Sequence, residues 1–196
     1  MDQNSSIQNI WLVIAIWSII YFADYYLTIF AAKKYRQYFQ EQISYEGSYE
    51  LTPEFQKDVN QLRLISPQFL FRWLLSIPLI LFLWWVVFEE LGRPEFFYFV
   101  IGAITLREAV VILRHFRNLT AYYFGGKEGG INGNLEYKRW FILKQSAADL
   151  LGYSILFLFF AIIVRSWFFF GGTIGCLVVA FQHWRLSKKA LEAPQK

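Results

Sequence analysis

Five long apolar runs constrain this chain more than anything else in it. They lie at 10–32, 69–88, 96–113, 147–164 and 167–183. A bilayer's hydrocarbon layer takes about 20 helical residues to cross, with roughly 17 to 25 tolerated. Inside lipid every backbone N–H and C=O must be paired within its own segment, so each run is expected to be a helix. Composition agrees: 56% of residues are apolar, 21% aromatic and only 17% charged, against about 45 to 50% apolar and about 25% charged in soluble domains. A disordered, collagen-like or disulfide-stapled chain is excluded. The expected fold is an all-α integral membrane protein, a five-helix transmembrane bundle forming one domain over 1–196. The first run, IWLVIAIWSIIYFADYYLTIFAA, is too long for a signal peptide and lacks a basic lead-in and a small-residue cleavage site, so it reads as a retained helix.

Charge sets the expected orientation. Lys33, Lys34, Arg36, Lys57 and Arg63 follow the first run. Arg114, Arg117, Lys127, Lys138, Arg139 and Lys144 lie between the third and fourth, and Arg185, Lys188, Lys189 and Lys196 follow the fifth. Those fifteen face only Arg93 and Arg165 in the two short connections. Basic loops stay in the cytoplasm, which places the N-terminus outside, the C-terminus in the cytoplasm, and 33–68 and 114–146 as cytoplasmic loops. The net charge of +4 is thus a topology signal, and no nucleic-acid partner is expected. The basic residues can also meet anionic lipid headgroups, each worth about 1 kcal/mol near the surface.

The loops carry local signals. Thr52, Pro53 and Glu54 form a helix start, predicting a short helix from 53 to about 65 that turns Phe55, Val59, Leu62 and Leu64 toward a packed or membrane surface. Ser66 and Pro67 repeat the device ahead of the second span. Ile43, Tyr45, Tyr49 and Leu51 around Gly47 suggest a small β-hairpin or extended segment. Asn132 and Gly133, between Ile131 and Leu135, predict a tight turn or short hairpin. The glycine-rich stretch around Lys127 lacks the order of a phosphate-binding loop, and the Asn118-Leu119-Thr120 glycosylation triplet falls on the cytoplasmic side, where that reaction does not occur.

The residues most informative about function are charges placed within hydrocarbon. Asp24 lies nine residues before Lys33, about 13 Å in from that end of its helix. Arg107 and Glu108 lie about 9 to 11 Å before Arg114 on the third span. Such groups cost about 2.5 to 3.5 kcal/mol at the bilayer centre and therefore face the bundle and pair, which predicts an Asp24–Arg107 ion pair. Arg107, Arg114 and Asn118 share one helical stripe, and Glu108 and His115 a neighbouring one. Thr28 sits one turn from Asp24, while Arg72 and Asp149 enter near the starts of the second and fourth spans. All nine fall in the loop-side half of their spans, predicting a polar vestibule open to the cytoplasm and closed beyond by an apolar plug.

Gly171 and Gly175 form a G-x-x-x-G pair, and Ala148 and Gly152 repeat the small-residue spacing on the fourth span, so spans four and five are expected to pack closely there, with a contact between two copies of the chain as the alternative. One cysteine, Cys176, cannot form an internal disulfide, and two histidines do not make a zinc site. No metal or other cofactor and no catalytic residue is expected, since the signatures of metalloproteases, serine hydrolases and thiol oxidoreductases are all missing. The layout resembles that of small bacterial inner-membrane proteins, a likeness of architecture that transfers no residues. The expected function is an oligomeric ion or small-solute conduit or binding protein of the cytoplasmic membrane. The alternatives are a non-catalytic accessory subunit of a membrane complex, with the charges as helix glue, and an intramembrane enzyme acting on lipid. Partners would be membrane lipids together with further copies of the chain or a membrane partner protein.

Overall fold

The structure, a computed structural model, describes residues 9–46, 53–127 and 133–192. In chain order the elements are α1 (Ile10–Tyr38), β1 (Ile43–Tyr45), α2 (Gln56–Asn60, entered through a 3₁₀ turn at Pro53–Phe55), α3 (Pro67–Trp85), α4 (Pro94–Ala121), β2 (Leu135–Tyr137), α5 (Arg139–Val164) and α6 (Trp167–Glu192). The helix of α3 runs on through a π turn at Val86–Glu90, and that of α4 through one at Tyr122–Lys127. Five of the helices, α1, α3, α4, α5 and α6, are long and apolar enough to span a membrane.

Local chemistry sets the helix ends. Asn9 caps α1, its side chain accepting from the Trp11 and Leu12 amides at 3.1 and 3.4 Å. Ser66 caps α3 by accepting from the Phe69 amide at 3.2 Å, and Pro67 occupies the first helical position. Between α5 and α6 only Arg165 and Ser166 remain, and the reversal is made by Arg165 in the left-handed region at φ +50°, with the Ser166 amide bonded to the Ala161 carbonyl at 3.2 Å. The helices overrun the apolar runs on the loop side, to Tyr38, Ala121 and Glu192 at their ends and back to Arg139 at the start of α5. Their flanks are rich in Lys, Arg and Gln, good helix formers that reach back toward water from a helical backbone. The loops are correspondingly shorter than 33–68 and 114–146.

Packing follows an arc. α3 lies on α1, α1 on α4, α4 on α6, and α6 on α5. The tightest contact is between α4 and α6. A Cβ at Gly102 would stand 1.9 Å from the Phe168 carbonyl oxygen, one at Gly171 1.8 Å from that of Phe99, and one at Gly175 2.3 Å from that of Ala103. Gly171 and Gly175 therefore meet the third span, not the small residues of the fourth. Ala148 and Gly152 face away from the interface, with nothing within 4 Å of a Cβ at Gly152. α5 instead buries Leu143, Ser146, Ala147, Leu150, Ser154 and Ala161, and Ser154 donates to the Thr173 carbonyl of α6 at 3.1 Å. At the short-turn end Val13, Trp17, Ile80, Val87, Phe97 and Ile101 close a dry core among α1, α3 and α4.

In the first loop Ile43–Tyr45 is an extended segment, one of the two forms expected there, and it is joined to the second loop. β1 and β2 pair with each other in parallel, Ile43 opposite Leu135 and Tyr45 opposite Tyr137, so the two loops form one small platform. The Leu135 amide donates to the Gln42 carbonyl at 2.7 Å and the Glu46 amide to that of Tyr137 at 3.0 Å. Beneath them Ala31, Phe39, Ile43 and Tyr122 form an apolar cluster, and this burial outweighs what a short local hairpin in water can offer. Gly133 keeps φ +98°; Asn132, Thr52 and the stretch from Gly47 to Leu51 lie outside the described residues. The helix expected to reach about residue 65 ends at Asn60 because Leu62 turns left-handed at φ +50°. That turn swings Ser66 back onto Asp58, to whose carboxylate it donates at 2.5 Å. Val59 is buried in the packed interior, and Leu64 is 64% exposed on the outer surface.

Candidate functional site

One cavity of about 930 Å³ occupies the loop-side half of the bundle. α4 forms its back, α1 and α3 one flank, and α5 and α6 the other, while Ile43, Tyr45 and Tyr137 of the strand platform border its loop end. Asp24, Thr28, Arg72, Arg107, Glu108, Arg114, His115, Asn118 and Asp149 all line it. Helical periodicity explains the convergence: Arg107, Arg114 and Asn118 stack along one face of α4, and Asp149 lies about three turns inside α5 on the side turned toward them.

The pairing differs from the expected one. Arg107 bonds the carboxylate of its own neighbour Glu108, not that of Asp24. A flexible guanidinium reaching an adjacent carboxylate needs no alignment of two helices, whereas an Asp24 pair would. Asp24 stands instead 3.4 Å from Nε2 of His115. The Thr28 hydroxyl lies 2.9 Å from the Asp24 carbonyl and 2.8 Å from His115 Nε2, so it links the ring to α1. Nδ1 of His115 and Oδ1 of Asp24 are buried without a hydrogen-bond partner among the described residues. Asp149 takes Arg117 at 3.1 Å and Arg114 at 3.7 Å, tying α5 to α4. Arg72 lies 4.0 Å from Glu54 and stacks 4.9 Å above the Phe55 ring.

Several groups of the cavity have no role in the sequence reading. His183, near the loop-side end of α6, meets the Ser146 hydroxyl at 2.8 Å, and Gln182 beside it also lines the cavity. Their signal was a polar pair closing an otherwise apolar run. Tyr21 and Tyr25 add hydroxyls from α1, donating to the Phe69 and Arg63 carbonyls at 3.4 and 2.7 Å. Aromatic rings on a membrane helix read first as packing, which hid them.

The formal charges of the wall balance. Arg72, Arg107, Arg114 and Arg117 stand against Asp24, Glu54, Glu108 and Asp149. Every cation is arginine, although the chain holds lysines nearly as often, and arginine offers a planar fork of donors suited to oxyanions. Among the described residues no group of three or more His, Cys, Asp or Glu side chains is placed to hold a metal ion. The arrangement can bind a species carrying charges of both signs. No protein-family model matches the chain, and neither the curated proteins nor the solved structures contain a match to it.

Proposed function

We propose that this chain is a membrane-embedded binding protein that takes a small charged solute into the cavity, with the loops and the C-terminus on the cytoplasmic side. The observation that carries the reading is the gathering of all the intramembrane charges around one cavity of about 930 Å³, within the 300 to 1,000 Å³ typical of small-molecule sites. The fifteen basic residues of the loops and tail against two in the short turns support the orientation. Binding is favoured over free conduction because the dry core around Trp17, Ile80 and Phe97 closes the other half of the bundle. A conduit would require that core to open or several copies to share a path.

Thermal unfolding in detergent tests this, since a ligand that binds only the folded state stabilises it by about 2.7 kcal/mol at a hundredfold excess over its Kd. Ethanolamine phosphate, inorganic phosphate and choline serve as zwitterionic, anionic and cationic probes. At least one should raise the midpoint of the unaltered protein and lose that effect with Asp24→Asn plus Arg107→Gln. A protein unmoved by all three refutes the reading. The accessory-subunit reading has one observation in its favour: His115 with Asp24 and Thr28, and Asp149 with Arg114 and Arg117, each bridge two helices. It predicts that the same double variant loses stability without any change in probe response.

A further inference from the structure

The helices form an arc in the order α3, α1, α4, α6, α5, and among the described residues its two ends make no substantial contact with each other. Both ends nevertheless border the same cavity, α3 through Arg72 and Ser76 and α5 through Gln145 and Asp149. A cavity flanked by the two unjoined ends of an arc opens sideways between them. In a membrane that side faces acyl chains, while the strand platform borders the end that faces the loops.

The α5 rim of that opening has a particular shape. Ala148 and Gly152 share a stripe with Gln145 at helical spacing, and Gly152 lies one turn beyond Asp149. Both are exposed, and a Cβ at Gly152 would meet nothing within 4 Å. Beside the charged wall, α5 therefore presents small residues with open space over them at Ala148 and Gly152. The walls carry four arginines and four carboxylates, so no net monopole selects a simple anion or cation; complementarity belongs to a group with both signs.

We propose that the cavity is entered laterally from the bilayer, between α3 and α5, by an amphiphile whose zwitterionic headgroup sits among the cavity's charges and whose acyl chain lies along Ala148 and Gly152. The proposal rests on the binding reading above and specifies its ligand class and its route.

The test uses the full chain held in amphipol and two probes with one headgroup: dihexanoyl phosphatidylethanolamine below its micelle concentration, and glycerophosphoethanolamine, which has no chains. The chain-bearing probe should bind at least about tenfold more tightly, since each buried methylene contributes roughly fourfold. Gly152→Phe, at a position where added atoms meet nothing, should weaken that probe about tenfold by occupying the open space the acyl chain would use while leaving the chainless probe unchanged. Gly152→Ala serves as the folding control. Equal affinity for the two probes overturns lateral entry and leaves the binding reading standing, as does a folded Gly152→Phe protein that binds the lipid as before. Equal binding of dihexanoyl phosphatidylglycerol or dihexanoylglycerol overturns the zwitterionic assignment. If neither ethanolamine probe binds, the proposal fails, and if the solutes of the preceding test are also without effect, the binding reading fails with it.

Discussion

Replacing Gly171 by alanine adds one methyl group where α6 crosses α4, and the structure gives the size of the collision. The new carbon would stand 1.8 Å from the Phe99 carbonyl oxygen and 2.9 Å from the Ala103 amide nitrogen, against an ordinary contact of 3.4 Å or more. Both neighbours are backbone, so no rotamer change relieves the clash, and the helices must part by about 1.5 Å locally. A gap of about 0.5 to 1 Å already forfeits a quarter to a half of each dispersion contact, and overpacking of this kind costs about 1 to 3 kcal/mol. The better helix propensity of alanine returns about 1 kcal/mol, leaving an expected net loss of up to about 2 kcal/mol. Gly152→Ala is the matched control, because it gains the same propensity and meets nothing; it should be neutral or stabilised by up to about 1 kcal/mol. Reversible unfolding in mixed micelles, followed by far-UV circular dichroism, would measure both. The double variant Gly171→Ala plus Gly175→Ala should cost less than the sum of its parts, since one displacement of α6 relieves both sites. Equal stability of Gly171→Ala and Gly152→Ala would refute the close backbone crossing and with it the order of helices in the arc.

Arg117 is the more exposed partner of Asp149, at 53% against 19% for Arg114, so Arg117→Gln should cost less than about 1 kcal/mol and Arg114→Gln clearly more, in the same unfolding assay. Leu135→Pro removes the amide that donates to the Gln42 carbonyl; hydrogen exchange should show lost protection at the Glu46 amide, ninety residues away, while amides in the middle of α4 and α6 stay protected. Arg165→Gly places the permissive residue at a left-handed position and should stabilise the α5–α6 turn by about 1 kcal/mol, read as a raised thermal midpoint.

The spans were legible because hydropathy over some twenty residues is a one-dimensional property, and so was the loop-side clustering of charge, because depth along a helix follows from counting residues. What could not be read is who faces whom. Gly171 and Gly175 announce a close approach, yet nothing in their spacing distinguishes α4 from α5 as the neighbour, and the matching Ala148 and Gly152 pointed to the wrong helix. Ile43 and Leu135 carry ordinary local strand signals, and local signals favour hairpins. Their actual pairing depends on Phe39 and Tyr122 being brought together by α1 and α4, which is a tertiary fact. The Ser146–His183 contact was hidden for the same reason, as each residue is unremarkable until α5 and α6 are laid side by side.

The exchange of the expected Asp24–Arg107 pair for Arg107–Glu108 changes what the intramembrane charges can be for. A pair between helices fixes their register, and its members are committed to that task. A pair between sequence neighbours on one helix fixes nothing, because both groups travel together however α4 is rotated. Register between α4 and α6 is set by Gly102, Gly171 and Gly175 meeting backbone, and that between α1 and α3 by Trp17 donating to Ser76 and Trp73 to Ser18 at 2.8 and 3.0 Å. Burying Arg107 and Glu108 beside Asp24 is expensive, and the fold gains no alignment from it that these contacts do not already supply. A cost carried without a structural return is what the proposed binding of a charged ligand would account for, and the Asp24→Asn plus Arg107→Gln variant tests it.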